Sequence, residues 1–426
     1  MEHIENLKGI KGEDLRSFTV KTLAGFPDAK KVLVLFPDYT RFDFTESIAP
    51  LIVKRFAGST MDFLNAGGTH RPMTGAEFRK KLGVDENEPG VRRLNHEFSS
   101  ASSLSTVGCI PGELVSEKTG GALDADIDIT INKIIFSNYD LIIALSGTLP
   151  HEAAGYSGGL KIFFPGISGP QVIDLFHWAA VLVGIPKIIG TIDNNARDII
   201  NAGARIIFDK ITAPVYSANM VSTETDDGIV PIGLYTDSGY EGFLAAYKAA
   251  SAASSTVHIK YIDGPLDLVV QVIPDDYDEV WLAGNGSYKL QRPGVMAEGG
   301  EIILYGPHIG CFHTNPGIEA DLYSVGYHCR DHVCNMIKAG AKLSKNAAAH
   351  LINVCGPGMF DPSTGEEKMH FKVTLATSIP EEECRRVGLG YRDPATIKRD
   401  DFTGPGKLWI EEGGKYLYDL NRKEAR

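Results

Sequence analysis

Lys161 lies in a glycine-rich stretch, LPHEAAGYSGGLKIFFPGISGPQVIDLFHW, with His151 ten residues before it and His177 sixteen after it. An amine and two imidazoles so spaced could sit beside one bound group. Glycines 155, 158, 159, 166 and 169 let the backbone take positive φ and come close to a ligand, so that peptide N–H groups can surround a phosphate. Two common phosphate motifs do not fit. Leu160 separates Gly159 from Lys161, and Ile162 stands where a Walker A loop has its hydroxyl residue. Gly155, Gly158 and Gly159 do not form G-x-G-x-x-G either. On these residues alone, a tight turn with Lys161 in solvent and both histidines satisfied elsewhere stands beside the functional reading.

The elements that position such groups are legible nearby. KVLVLFPDYTR, Lys31–Arg41, is an apolar run ending in a polar cluster. It reads as a buried parallel strand that projects Asp38, Thr40 and Arg41 from its carboxyl end, where open α/β sheets bind ligands. DLIIALSGTLP, Asp140–Pro150, reads as a second buried strand whose end delivers the His151 loop. In FLNAGGTHRPMT, Phe63–Thr74, Gly67 and Gly68 present His70 and Arg71, and Pro72 biases the residue before it away from helix. Helices are expected over 193–204 and 242–253, with a junction between domains near residue 257. Beyond it, LDLVVQVIPDDYDEVWLAGNG and EIILYGPHIG repeat the strand-then-loop pattern. The expected fold class is α/β: two α/β domains with mainly parallel sheets, residues 1–257 and 258–400, and an interdomain active-site cleft. The tail 401–426 is expected to pack back on the first domain.

As a set and in this order, D-x-T-R at Asp38–Arg41, G-T-H-R-P at Gly68–Pro72 and the His151/Lys161/His177 block resemble the nickel-dependent lactate racemase family. The resemblance implies that Lys161 carries a covalent nickel-pincer nucleotide, a pyridinium mononucleotide joined through a thioamide, and that His177 is the protein's ligand to nickel. It makes His70 and His151 the two acid/base residues. Asp38, Thr40, Ser157, Gly158 and Gly159 would hold the nucleotide, and Arg41 the substrate carboxylate. The implied reaction inverts C2 of a 2-hydroxy acid by hydride removal and return through a 2-keto acid. Two bases suit that chemistry because an imidazole both accepts and returns a proton near neutrality. One protein histidine suffices for square-planar nickel with sulfur and carbon donors, and a guanidinium can bind both oxygens of a carboxylate.

The chain departs from the family pattern where the substrate is read. Tyr39 replaces a histidine, Phe42 replaces a proline, and the Asn285–Pro293 segment is short, leaving Lys289 and Gln291 as candidate substrate contacts with Ser287 and Arg292 beside them. A sugar acid or another larger 2-hydroxy acid is therefore expected over lactate, with lactate racemase proper as the alternative. A lysine Schiff-base enzyme using pyridoxal phosphate and a nonenzymatic nucleotide-binding protein also remain open, since both would use Lys161 and the glycine turn.

Composition limits the partners. The 426 residues carry 42 basic and 54 acidic side chains, a net charge of −12, which argues against nucleic acid and against an anionic membrane surface. No apolar run long enough for a membrane span or a signal peptide is read, so a cytoplasmic location is expected, with a small-molecule substrate and cofactor-synthesis proteins as partners. The six cysteines lack C-x-x-C spacing and read as reduced thiols. His328 and His332 are four residues apart in SVGYHCRDHVCNM and could share a helical face as metal ligands, but an ordinary helix is the preferred reading there.

Overall fold

In a computed structural model, residues 1–225 and 228–421 are described. The strand Lys31–Phe36 runs through a seven-stranded sheet with Val32 to Phe36 fully buried. A strand covered on both faces needs apolar side chains at every position, which is why this run does not alternate. Leu141–Gly147 is buried throughout for the same reason. Each large apolar side chain so buried contributes about 1.5–3 kcal/mol.

Across this sheet the order is Glu2–Glu5, Gly228–Ser238, Val215–Thr225, Leu141–Gly147, Lys31–Phe36, Thr60–Asn65 and Val91–Leu94. Pairing is parallel from Val215–Thr225 to Val91–Leu94 and antiparallel at the other edge. After Lys31–Phe36 the chain builds outward through Thr60–Asn65 and Val91–Leu94, then returns to pair Leu141–Gly147 on the opposite side. The strand order therefore reverses at Lys31–Phe36, and loops leaving the carboxyl ends there diverge, as at the switch points where open α/β sheets bind ligands.

The chain divides into two compact units. The first comprises residues 1–176 and 191–257, the second residues 177–190 and everything from His258 onward. The second unit has its own five-stranded, all-parallel sheet, ordered Gly390–Tyr391, Phe371–Thr377, Met296–Gly306, Leu266–Val272, Lys407–Ile410. The α/β class with mainly parallel sheets thus holds for both. The tail corrects the expectation of a return to the first unit: Lys407–Ile410 pairs with Leu266–Val272, and Leu417–Leu420 pairs with Ile259–Ile262, both in the second. Its two apolar runs complete edges that would otherwise expose unpaired backbone. Residues 422–426 of that tail lie outside the described residues. Among the described residues, no helix is long and apolar enough to cross a membrane.

Candidate active site

Asp38–Arg41, the His70 loop and the His151 loop follow three strands that are neighbours in the first sheet, Lys31–Phe36, Thr60–Asn65 and Leu141–Gly147. Asp38 is buried, and its Oδ1 accepts from the Thr40 hydroxyl at 2.7 Å and the Thr40 N–H at 3.1 Å. Its Oδ2 accepts from His70 Nδ1. Burial works to raise the Asp38 pKa, but His70, Arg41 and the Thr40 hydroxyl outweigh it and hold the carboxyl well below the usual range. An ionised Asp38 keeps the His70 proton on Nδ1, so Nε2 presents a lone pair. Asp38 thus orients a base, a part its spacing in the sequence does not reveal.

His151 is also held through Nδ1. The Ala153 N–H lies 3.1 Å from that nitrogen, and Glu152 Oε2 lies 3.2 Å from it. Both imidazoles are thus anchored at Nδ1 beside a carboxylate, which leaves Nε2 of each ring as the nitrogen for proton transfer.

Lys161 sits on the single turn Gly159–Ile162 and is half-buried. Burial first, then Arg41 and Arg197, bring its amine down to about 7, against the opposing pull of Glu152 and Asp38. Close to neutral pH a large share of that amine is unprotonated and nucleophilic. Arg41, Ser146, Gly147, Ser157, Gly158 and Lys161 line a small cavity. The Gly68 N–H donates to Gly166 O at 3.0 Å, tying the His70 loop to the turn that carries Lys161. Asp38, on which His70 rests, and Glu152, which touches His151, are both among the charges acting on Lys161, so the two imidazoles and the amine share one neighbourhood.

The glycines here are required by packing as much as by any ligand. Gly158 has φ 82°, and a Cβ on it would meet Thr148 Oγ1 at 2.9 Å and Ser146 Oγ at 3.1 Å. The Gly159 N–H donates to Asn219 Oδ1 at 2.9 Å, and the Ser157 hydroxyl donates to Gly147 O at 2.7 Å. Thr40, Ser157 and Gly159, expected around a nucleotide, are thus engaged in the site's own hydrogen bonds. A buried carboxylate such as Asp38 repels phosphate.

Arg197 is the residue that sequence reasoning missed. It lies in the first turn of the helix Asn195–Phe208, which Asn194 caps by accepting from the Arg197 N–H at 2.8 Å. Its buried guanidinium donates to Ala154 O at 3.2 Å, to Gly158 O at 3.4 Å and to Tyr156 O, and lies 3.9 Å over the Tyr247 ring. It clamps the loop between His151 and Lys161. Its partners are about forty residues away in the chain, so the sequence carries no local signal for it.

The remaining candidates belong to the second unit. His177 is the residue at which the helix Pro170–Val183 passes into that unit. Lys289 is buried. The Gln291 amide donates to Asn353 O at 2.6 Å and to the Ser287 hydroxyl at 3.3 Å, while that hydroxyl donates to Val354 O at 2.6 Å. Gln291, expected to touch substrate, therefore ties its segment to the helix Lys345–Cys355.

Residues 18–185 match the family model of the lactate racemase N-terminal domain. The lactate racemase of Thermoanaerobacterium thermosaccharolyticum is 29% identical over 194 residues, 43% of this chain and 42% of that protein. The lactate racemase of Lactiplantibacillus plantarum is 31% identical over 162 residues, 37% of this chain and 34% of that protein. The matched stretch thus spans less than half the length of either curated relative. A Thermotoga maritima protein solved in a structural genomics programme is 51% identical, with a TM-score of 0.95 over 98% of this chain and 100% of that one. The lactate racemase apoprotein of T. thermosaccharolyticum shares the fold, with a TM-score of 0.68 at 17% identity over 96% of this chain and 93% of that one.

Proposed function

The chain belongs to the lactate racemase family, and from that premise we propose that it is a racemase or epimerase inverting C2 of a 2-hydroxy acid. The observation that carries the reading is the pair of imidazoles, each anchored at Nδ1 beside a carboxylate, set around a half-buried lysine whose amine is lowered to about 7.

The surroundings of Lys161 favour a nickel-pincer nucleotide as the cofactor. A thioamide on Lys161 is uncharged, so it suits a pocket that already disfavours the ammonium form. Arg41 supplies positive charge for an anionic group beside it, and His177 would be the imidazole ligand to nickel. When bound, the group supplies a reversible acceptor for the hydride that leaves C2. The chain's own residues do the rest. Arg41 fixes the substrate carboxylate. His70, held by Asp38, takes the hydroxyl proton at Nε2 as the carbonyl forms. His151 gives a proton from Nε2 to the oxygen when hydrogen returns on the other face. For the opposite enantiomer the two exchange parts. A cytoplasmic setting with proteins that make the cofactor belongs to the same proposal.

For the substrate, a larger 2-hydroxy acid such as a sugar acid is favoured over lactate. The reason is the short Asn285–Pro293 segment, which leaves less bulk than the family pattern, and not hydrogen bonding by Ser287 and Gln291, which is spent within the second unit. Cofactor-loaded enzyme given single stereoisomers of lactate, malate, 2-hydroxyglutarate, phenyllactate and gluconate should invert gluconate at C2 with a kcat/KM about tenfold or more above that for lactate. Lactate turning over fastest would restore the plain lactate racemase reading.

A further inference from the structure

His328 and His332 do not behave as an ordinary helical pair. His328 precedes the helix Arg330–Lys338, His332 lies in its first turn, and both converge on Glu367 of the strand Glu366–Met369. Nδ1 of His328 is 2.7 Å, and Nδ1 of His332 2.9 Å, from the same oxygen, Glu367 Oε2. The other oxygen, Oε1, accepts from the Cys329 N–H at 2.6 Å, which fixes the carboxylate with Oε2 turned toward both rings. Phe360 stacks on His332 with ring centres 3.9 Å apart and planes 3° from parallel, holding that imidazole in place. The three side chains are 26%, 19% and 17% exposed, so an ion can reach them from solvent while most of their surface is covered.

We propose that His328, His332 and Glu367 form a second metal site, for a divalent transition ion of which zinc is the best match. Two imidazoles and one carboxylate are the protein donors of an open zinc site, with solvent completing the shell. Tetrahedral donors about 2.1 Å from zinc stand roughly 3.4 Å from one another, so each nitrogen needs to part from Glu367 Oε2 by only about 0.5–0.7 Å. Without an ion, two imidazole N–H groups whose ring centres are 4.0 Å apart must point at one oxygen. A dication replaces both converging protons and keeps the arrangement. The Cys329 N–H and the Phe360 ring then act as the outer contacts that orient first ligands. The ion would clamp the helix Arg330–Lys338 to the hairpin formed by Gly358–Asp361 and Glu366–Met369, using none of the residues assigned to racemisation.

The test is titration of the purified full-length chain with zinc as the only added metal, against a chromophoric competitor, with anomalous diffraction at the zinc edge to place the ion. One equivalent should bind on these three residues and raise the melting temperature. The His328→Ala/His332→Ala double variant and, as the shape-preserving control for folding, Glu367→Gln should each weaken binding by about 10²-fold. His177→Ala should leave it unchanged. No binding, zinc located on other residues, or full affinity retained in Glu367→Gln and in the double variant would overturn the proposal.

Discussion

Lys161→Ala should abolish turnover and remove the proposed attachment point for a covalent cofactor. Enzyme produced together with cofactor-synthesis proteins should show added mass on the peptide that carries Lys161, and the alanine variant should show none. Lys161→Arg should fail in the same way, because a guanidinium stays charged and cannot act as a nucleophile. The amine is lowered to about 7 by burial and by Arg41 and Arg197. It is protonated and unreactive below that value and neutral above it, so attachment should be slow below about pH 6 and reach a plateau above about pH 8. Peptide mass spectrometry after loading at a series of pH values reads this directly. Fully active enzyme with unmodified Lys161 would refute the assignment, and a mass that appears only after borohydride reduction would favour a Schiff base instead.

His70→Ala and His151→Ala should each keep the Lys161 adduct yet lower racemisation by about 10²-fold or more, the usual worth of a positioned acid/base group. Asp38→Asn should produce a loss of similar kind while preserving shape. Its amide can present an N–H to His70 Nδ1, which moves the ring proton to Nε2 and removes the base. That variant separates orientation from phosphate binding: the adduct mass should remain while kcat falls. Near wild-type rates in both alanine variants would rule out a two-base mechanism. A lost adduct in Asp38→Asn would return Asp38 to the cofactor.

The strands beneath these groups were readable because burial on both faces demands unbroken apolar runs, as in Lys31–Phe36 and Leu141–Gly147. The three loops were readable because glycine and proline break those runs where His70, His151 and Lys161 are presented. What stayed hidden depends on contacts between distant segments. Asp38 meets His70 thirty-two residues on, Arg197 reaches back to the 154–158 backbone, and Glu367 joins His332 across thirty-five residues. Periodicity and spacing report only neighbours in the chain, so these partners carry no local mark. The assignment of 177–190 and of the tail to the second unit was hidden for the same reason: both are fixed by pairing and packing with residues beyond 257.

C2 inversion through a keto acid is tested most directly with one enantiomer of a turned-over 2-hydroxy acid carrying deuterium on C2, incubated with loaded enzyme in ordinary water. His70 and His151 are assigned to the hydroxyl proton alone, so the inverted product should keep its deuterium at C2 through many turnovers. Deuterium lost to water at the rate of inversion would mean that the histidines deprotonate carbon, and would contradict the mechanism.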